Sequence, residues 1–108
     1  MLPAIRRRSP ERDIQRAIVS LLRWHGWMVR EISQQKYVTG DLIGVPDLIA
    51  WKRGVTLLIE VKAPGGRVRR SQRLFAQDIA PHLGDTLRYT ITRDVDQFEQ
   101  WLNNHESE

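Results

Sequence analysis

The chain has 108 residues, no cysteine and a formal net charge of +4. That length supports one small domain with a single core. The composition excludes disulfides and thiolate metal sites, and no apolar run approaches a membrane span. The N-terminus also lacks the apolar stretch of a signal peptide, so a cytoplasmic protein with no membrane partner is expected.

Residues 1–8 read as a basic arm, which leaves 9–108 as the one folded domain. Arg6, Arg7 and Arg8 suit a polyanion such as nucleic acid, and they suit solvated surface equally well. Ser9-Pro10-Glu11 predicts a helix start, with Ser9 as N-cap and Pro10 in the first helical position. Ile14, Ala17, Ile18, Leu21 and Leu22 follow at helical spacing, and Gly26 ends the helix. Glu11 lies in the first turn, where the helix dipole alone could account for it. Gln15 and Arg16 follow nearby.

Trp27 to Ser33 reads as a strand. Residues 34–44 form a polar loop in which Lys36 and Tyr37 could meet a phosphate or a base, although a surface loop needs neither. Asp41 beside Gly40 reads as a turn residue. Two apolar runs follow, Gly44 to Trp51 and Leu57 to Lys62, joined by the tight connection Lys52-Arg53-Gly54. Alternation puts Glu60 and Lys62 on one face with Leu58, and Leu57, Ile59 and Val61 on the other. Asp47 opens the first run and can reach the end of the second across the hairpin. Two carboxylates and an ammonium then converge beside a core. Such burial is costly unless the charges are paired or bound to a cation.

Ala63-Pro64-Gly65-Gly66 stops the strand. Arg67, Arg69, Arg70 and Arg73 cluster beside the carboxylates and predict contacts to phosphate oxygens. Ser71 is expected to cap a helix running to about Leu83, with Gln72 in its first turn and Leu74, Phe75 and Ile79 turned inward. Leu87, Tyr89 and Ile91 alternate as a fourth strand. Asp94 and Gln97 start a last helix bearing Val95, Phe98, Trp101 and Leu102. Residues 103–108 are polar and expected to fray. His25, His82 and His105 show no metal-ligand spacing.

Pro46-Asp47, twelve further residues and Glu60-Val61-Lys62 resemble the PD-(D/E)xK nuclease signature. Gly44-Val45-Pro46-Asp47-Leu48 and the later Ser71-Gln72 narrow the resemblance to its VRR-NUC branch, the virus-type replication and repair nucleases of stand-alone phage or bacterial type. The element order reads as an α/β fold (an α+β mixed sheet). The resemblance implies a restriction-endonuclease-like αβββαβ core, here with an added C-terminal helix. It implies Mg²⁺ or Mn²⁺ held by Asp47, Glu60, the Val61 carbonyl and Glu11. It also implies catalytic roles for Asp47, Glu60, Lys62, Gln72 and Glu11, and DNA contacts by Arg67, Arg69, Arg70, Arg73, Lys36 and Arg6 to Arg8.

The implied activity is metal-dependent hydrolysis of phosphodiester bonds in DNA. Stand-alone members of the family are regarded as dimers that resolve four-way (Holliday) junctions, which implies a homodimer acting on branched DNA. Trp24, Trp27 and Trp101 fall near element ends where a second copy could cover them. The competing readings are a catalytically silent nucleic-acid-binding module and a flap-cutting, nicking or restriction-type endonuclease. Clustered carboxylates disfavour the first, since phosphate binding gains nothing from them.

Overall fold

A computed structural model describes residues 10–32 and 40–106. The predicted arm 1–8, the Ser9 cap, Lys36 and Tyr37 lie outside the described residues. Helix α1 spans Pro10–Trp24, and strands β1, β2 and β3 span Met28–Glu31, Leu48–Lys52 and Val55–Val61. Helix α2 spans Arg70–Ile79, strand β4 Leu87–Thr92 and helix α3 Val95–Glu106. The order αβββαβ with an added C-terminal helix is the expected one. Among the described residues, no helix is long and apolar enough to cross a membrane.

The sheet runs β1-β2-β3-β4, antiparallel through the first three strands and parallel between β3 and β4. The step from β2 to β3 is a tight hairpin and that from β1 to β2 a longer connection over 32–47, whereas the parallel step needs a crossover, which α2 supplies. The turn between β2 and β3 has Arg53 and Gly54 at φ 50° and 80°. Two positive φ values match a two-residue hairpin to the twist of its strands.

One face of the sheet carries Val29, Leu48, Ala50, Leu57, Ile59 and Val61. Ile18, Val19 and Leu22 of α1 and Phe98 and Leu102 of α3 pack with them into the core. Each of these side chains larger than Ala50 contributes roughly 1.5–3 kcal/mol of hydrophobic stabilisation when fully buried. The opposite face carries Leu58, Glu60 and Lys62, together with Tyr89 and Ile91 of β4. Helix α2 lies over this side, and Phe75 meets Tyr89 with ring centroids 6.0 Å apart.

Several element ends differ from the sequence expectation. Strand β1 is shorter, running only from Met28 to Glu31. Strand β2 starts at Leu48 rather than Gly44, because Gly44 turns the chain at φ 85°. Helix α2 begins two residues early, with Arg69 rather than Ser71 in the cap position. Ser71 is therefore inside the helix and Gln72 does the capping, its Oε1 accepting from Arg69 N at 2.8 Å. The helix stops at Ile79, and Ala80–His82 form a 3₁₀ turn. Pro81 has no N–H for another α-helical bond, so the segment tightens there. Leu74 faces solvent, 45 % exposed, instead of turning inward.

Helix α1 closes as expected on Gly26, at φ 89°. Trp27 N donates to Leu22 O and Gly26 N to Arg23 O, which together make a Schellman ending. Asp94 caps α3 by accepting from Gln97 N at 2.9 Å. The expected fraying after Leu102 does not occur before Glu106. Arg88 Nη1 donates to His105 O at 3.1 Å, and the His105 ring lies 4.5 Å from that of Trp101. Of the three tryptophans put forward for a partner, Trp27 is buried in the core and Trp101 stacks on Phe98. Only Trp24 is largely exposed.

Candidate active site

The site is built where three elements meet. Glu60 lies on β3, which is flanked by strands on both sides, and it is only 1 % exposed. Asp47 immediately precedes β2, one step beyond the last pair of the ladder, Leu48 with Ile59. Past that pair no β2 carbonyl serves the Val61 amide, and Asp47 Oδ2 accepts from it instead, at 2.8 Å. Glu11 comes from the first turn of α1. One carboxylate oxygen from each of Glu11, Asp47 and Glu60 lies within 4.8 Å of the others.

Glu60 carries the strongest electrostatic signature. Burial pushes its carboxyl up to about 9, and a side-chain hydrogen bond to Asp47 and the charges of Asp47 and Glu11 push the same way. The Lys62 ammonium opposes them. Lys62 follows directly on β3 and is itself buried, 6 % exposed. Glu60 Oε2 is buried without a hydrogen-bond partner. A buried carboxylate oxygen left unsatisfied costs roughly 1–3 kcal/mol or more. With two further carboxylates alongside, the group fits a hard divalent cation such as Mg²⁺ or Mn²⁺, which takes oxygen ligands and retains waters. Glu60, Asp47 and Glu11 would hold it.

This burial sets a pH dependence. The Glu60 carboxyl titrates near 4.5 in an unfolded chain and near 9 in the folded one. Between those values the unfolded chain releases a proton that the folded chain keeps, so stability falls as pH rises through the window. The melting temperature of metal-free protein is expected to drop steadily from pH 5 to pH 9. Glu60→Gln should flatten the profile. A parent profile as flat as that of the variant would contradict the burial of Glu60 described above.

The other predicted residues divide into three groups. Gln72 lies beside the centre, in a pocket that also includes Asp47 and Arg69, with its Oε1 occupied by the Arg69 amide. Arg67, Arg69, Arg70 and Arg73 are all exposed on the approach to α2 and in its first turn. Arg73 Nη1 donates to Val68 O at 2.8 Å, which draws it along the loop. Arg6, Arg7, Arg8 and Lys36 lie outside the described residues.

Tyr89 has no counterpart among the sequence expectations for the site, and Gln15, expected near Glu11, has a partner that the sequence did not indicate. Tyr89 sits on the same face as Glu60, and its phenol is pushed upward first by burial and then by the charges of Glu60 and Asp47. A phenol held protonated is a hydrogen-bond donor facing an anionic site. Gln15, one turn beyond Glu11 and buried, donates from Nε2 to Glu31 Oε1 at 3.1 Å. Glu31 in turn precedes Ile32, whose amide donates to Asp47 O at 2.7 Å. A polar tie thus connects the helix bearing Glu11 to the strand end bearing Asp47. Helical spacing from Glu11 to Gln15 was visible in the sequence, but the pairing with Glu31 depends on tertiary contact.

A family model described as the VRR-NUC domain matches residues 7–90. The match includes Glu11, Asp47, Glu60, Lys62 and Gln72. No curated protein matches the chain in sequence.

Proposed function

The chain belongs to the VRR-NUC family of nucleases, and from that premise we propose a Mg²⁺- or Mn²⁺-dependent endodeoxyribonuclease that acts on branched DNA as a homodimer. The observation that carries the metal dependence is the buried, unpartnered Glu60 Oε2 among the carboxylates of Asp47 and Glu11. Three converging carboxylates repel phosphate, so they serve a nuclease only with a cation between them and the substrate.

When bound, that cation supplies Lewis acidity toward the phosphate and a water of lowered pKa. Asp47, Glu60 and Glu11 would hold it, with the Val61 carbonyl as the further ligand we assign. Asp47 would do so while held in place by the Val61 amide. Lys62, beside Glu60 on one face of the sheet, positions the attacking water or grips a phosphate oxygen. Gln72 fixes the start of α2, and Arg67, Arg69, Arg70 and Arg73 take the flanking phosphates with a planar guanidinium fork. Arg6, Arg7, Arg8 and Lys36 extend that basic surface.

Support for the substrate and assembly comes from symmetry and size. One site cuts one strand, whereas a two-fold dimer presents two sites, and C₂ dimers are the commonest oligomers. A four-way junction has the same symmetry, so paired nicks in opposed strands suit it. Trp24, 86 % exposed, and half-exposed Met28 offer apolar surface for a second copy. The compartment that fits is the cytoplasm of a bacterial or phage-infected cell, where the DNA is.

The test is cleavage of linear duplex, flap and four-way junction DNA with Mg²⁺, Mn²⁺ or chelator, read beside light scattering at micromolar protein. Paired, cation-dependent nicks in the junction by a dimer are expected. DNA binding without cleavage in either cation would instead identify a silent binding module. A monomer that cuts flaps and leaves the junction whole would keep the nuclease and remove the junction resolvase.

A further inference from the structure

Beside the carboxylates lies a pocket of about 240 Å³ that includes Asp47. Its two walls differ in chemistry. Ile32, Leu42 and Ile43 form an apolar side, while Arg69 and Gln72 at the start of α2 form a polar one. Leu42 and Ile43 are adjacent in sequence and 50 % and 55 % exposed. Single exposed apolar residues need no explanation. Two together at the edge of a charged centre do, because they add nothing to the binding of a cation or a phosphate.

The walls are also fixed relative to one another. Gly44 packs so tightly on the first turn of α2 that an added Cβ would stand 2.3 Å from Ser71 O. The turn carrying Leu42 and Ile43 is closed by Ile43 N donating to Gly40 O and Val45 N to Leu42 O. A cleft that combines exposed aliphatic side chains with the Arg69 guanidinium, next to the carboxylates that would hold a cation, matches a nucleotide, whose base is flat and apolar on its faces and whose phosphate is anionic. The volume lies just below the roughly 300–1,000 Å³ of pockets for drug-sized ligands, as suits a single planar base.

We propose that this pocket captures the base of one unpaired nucleotide next to the phosphate that is cut. The base lies against Leu42 and Ile43, and its phosphate faces Arg69. This inference rests on the nuclease reading and deepens it. Extracting a base from a duplex costs unstacking and unpairing energy, and that cost is least where the DNA is already open. A pocket of this kind therefore selects branch points and other unpaired sites through the base itself, independently of DNA shape.

The experiment pairs Leu42→Ser/Ile43→Ser with a branched substrate whose nucleotide beside the cut is either normal or abasic. Both residues are exposed, and a thermal melt of the double variant checks its fold. The parent is expected to cut the abasic substrate about tenfold more slowly, through loss of the apolar contact of the base with Leu42 and Ile43. The double variant should cut both substrates at that same reduced rate, so that the two losses do not add. As a direct probe, 2-aminopurine at the same position should brighten severalfold on binding to the inactive Lys62→Ala protein. It should stay dim when Leu42→Ser/Ile43→Ser is added.

Equal cleavage of normal and abasic substrates by the parent would overturn the pocket and leave the nuclease intact. A 2-aminopurine response lost in the double variant, with no cleavage by the parent in any cation, would support base capture while removing the nuclease. A parent that neither binds nor cuts DNA overturns both.

Discussion

Glu60→Gln is expected to abolish cleavage and, at pH 8, to raise the melting temperature of the metal-free protein. The two effects have one origin. The Glu60 carboxyl is buried with Oε2 unpartnered, and its environment opposes ionisation. The amide keeps the shape, removes the ionisable group and loses the anionic ligand. Loss of the cation's charge stabilisation, worth several kcal/mol, slows the reaction by about a thousandfold or more. Asp47→Ala should be equally inactive but should lower the melting temperature, because it strips the acceptor from the Val61 amide. Leaving that donor unsatisfied costs about 1–3 kcal/mol. Lys62→Ala should be inactive yet still bind the cation. Turnover assays and thermal melts of the three variants separate these outcomes. Cleavage by Glu60→Gln at the parent's rate in Mg²⁺ would remove this residue from the active centre.

Gly44→Ala is expected to be the most destabilising single-methyl substitution in the motif. The residue sits at φ 85°, a region that side chains avoid, and its Cβ would meet Ser71 O at 2.3 Å and Ser71 C at 2.7 Å. The obstacle is backbone rather than a side-chain tip that could swing away, so β2 or α2 must move. Backbone strain of 1–3 kcal/mol together with the steric clash gives a loss of about 3 kcal/mol or more. For a domain of this size that is about 15 °C in melting temperature. Gly54→Ala is the control: it also has positive φ, but its Cβ would meet nothing within 4 Å. Its loss should be confined to the backbone term. Similar melting temperatures for the two variants would show that the contact between Gly44 and α2 is not tight.

The strands bearing the carboxylates were legible because their signal is local. Glu60 and Lys62 interrupt an otherwise apolar run at a spacing of two, which in a strand has one structural meaning. Asp94 was legible for the same reason, since an N-cap is decided within four residues. The misread parts depend on competition or on distance. Ser71 is the better intrinsic cap, yet Gln72 reaches back to the Arg69 amide and the helix begins two residues earlier. Leu74 fits an inward pattern, but α2 contacts only part of the sheet and leaves that residue outside. The end of α3 is held by Arg88, a strand residue seventeen positions away. Tyr89 joins the carboxylates only through the parallel pairing that sets it opposite Leu58. No local pattern encodes that pairing.

The three carboxylates are unequal in their anchorage. Glu60 belongs to a strand hydrogen-bonded on both sides, the part of a fold that opens only on global unfolding. Glu11 belongs to the first turn of a helix, where amides lack intrahelical partners and the chain frays at little cost. The centre thus joins a central strand, expected to exchange slowly, to a helix end, expected to exchange faster. A ligand that engages all three groups is therefore expected to slow the opening of the α1 terminus, which amide exchange at the first turn with and without Mg²⁺ would show.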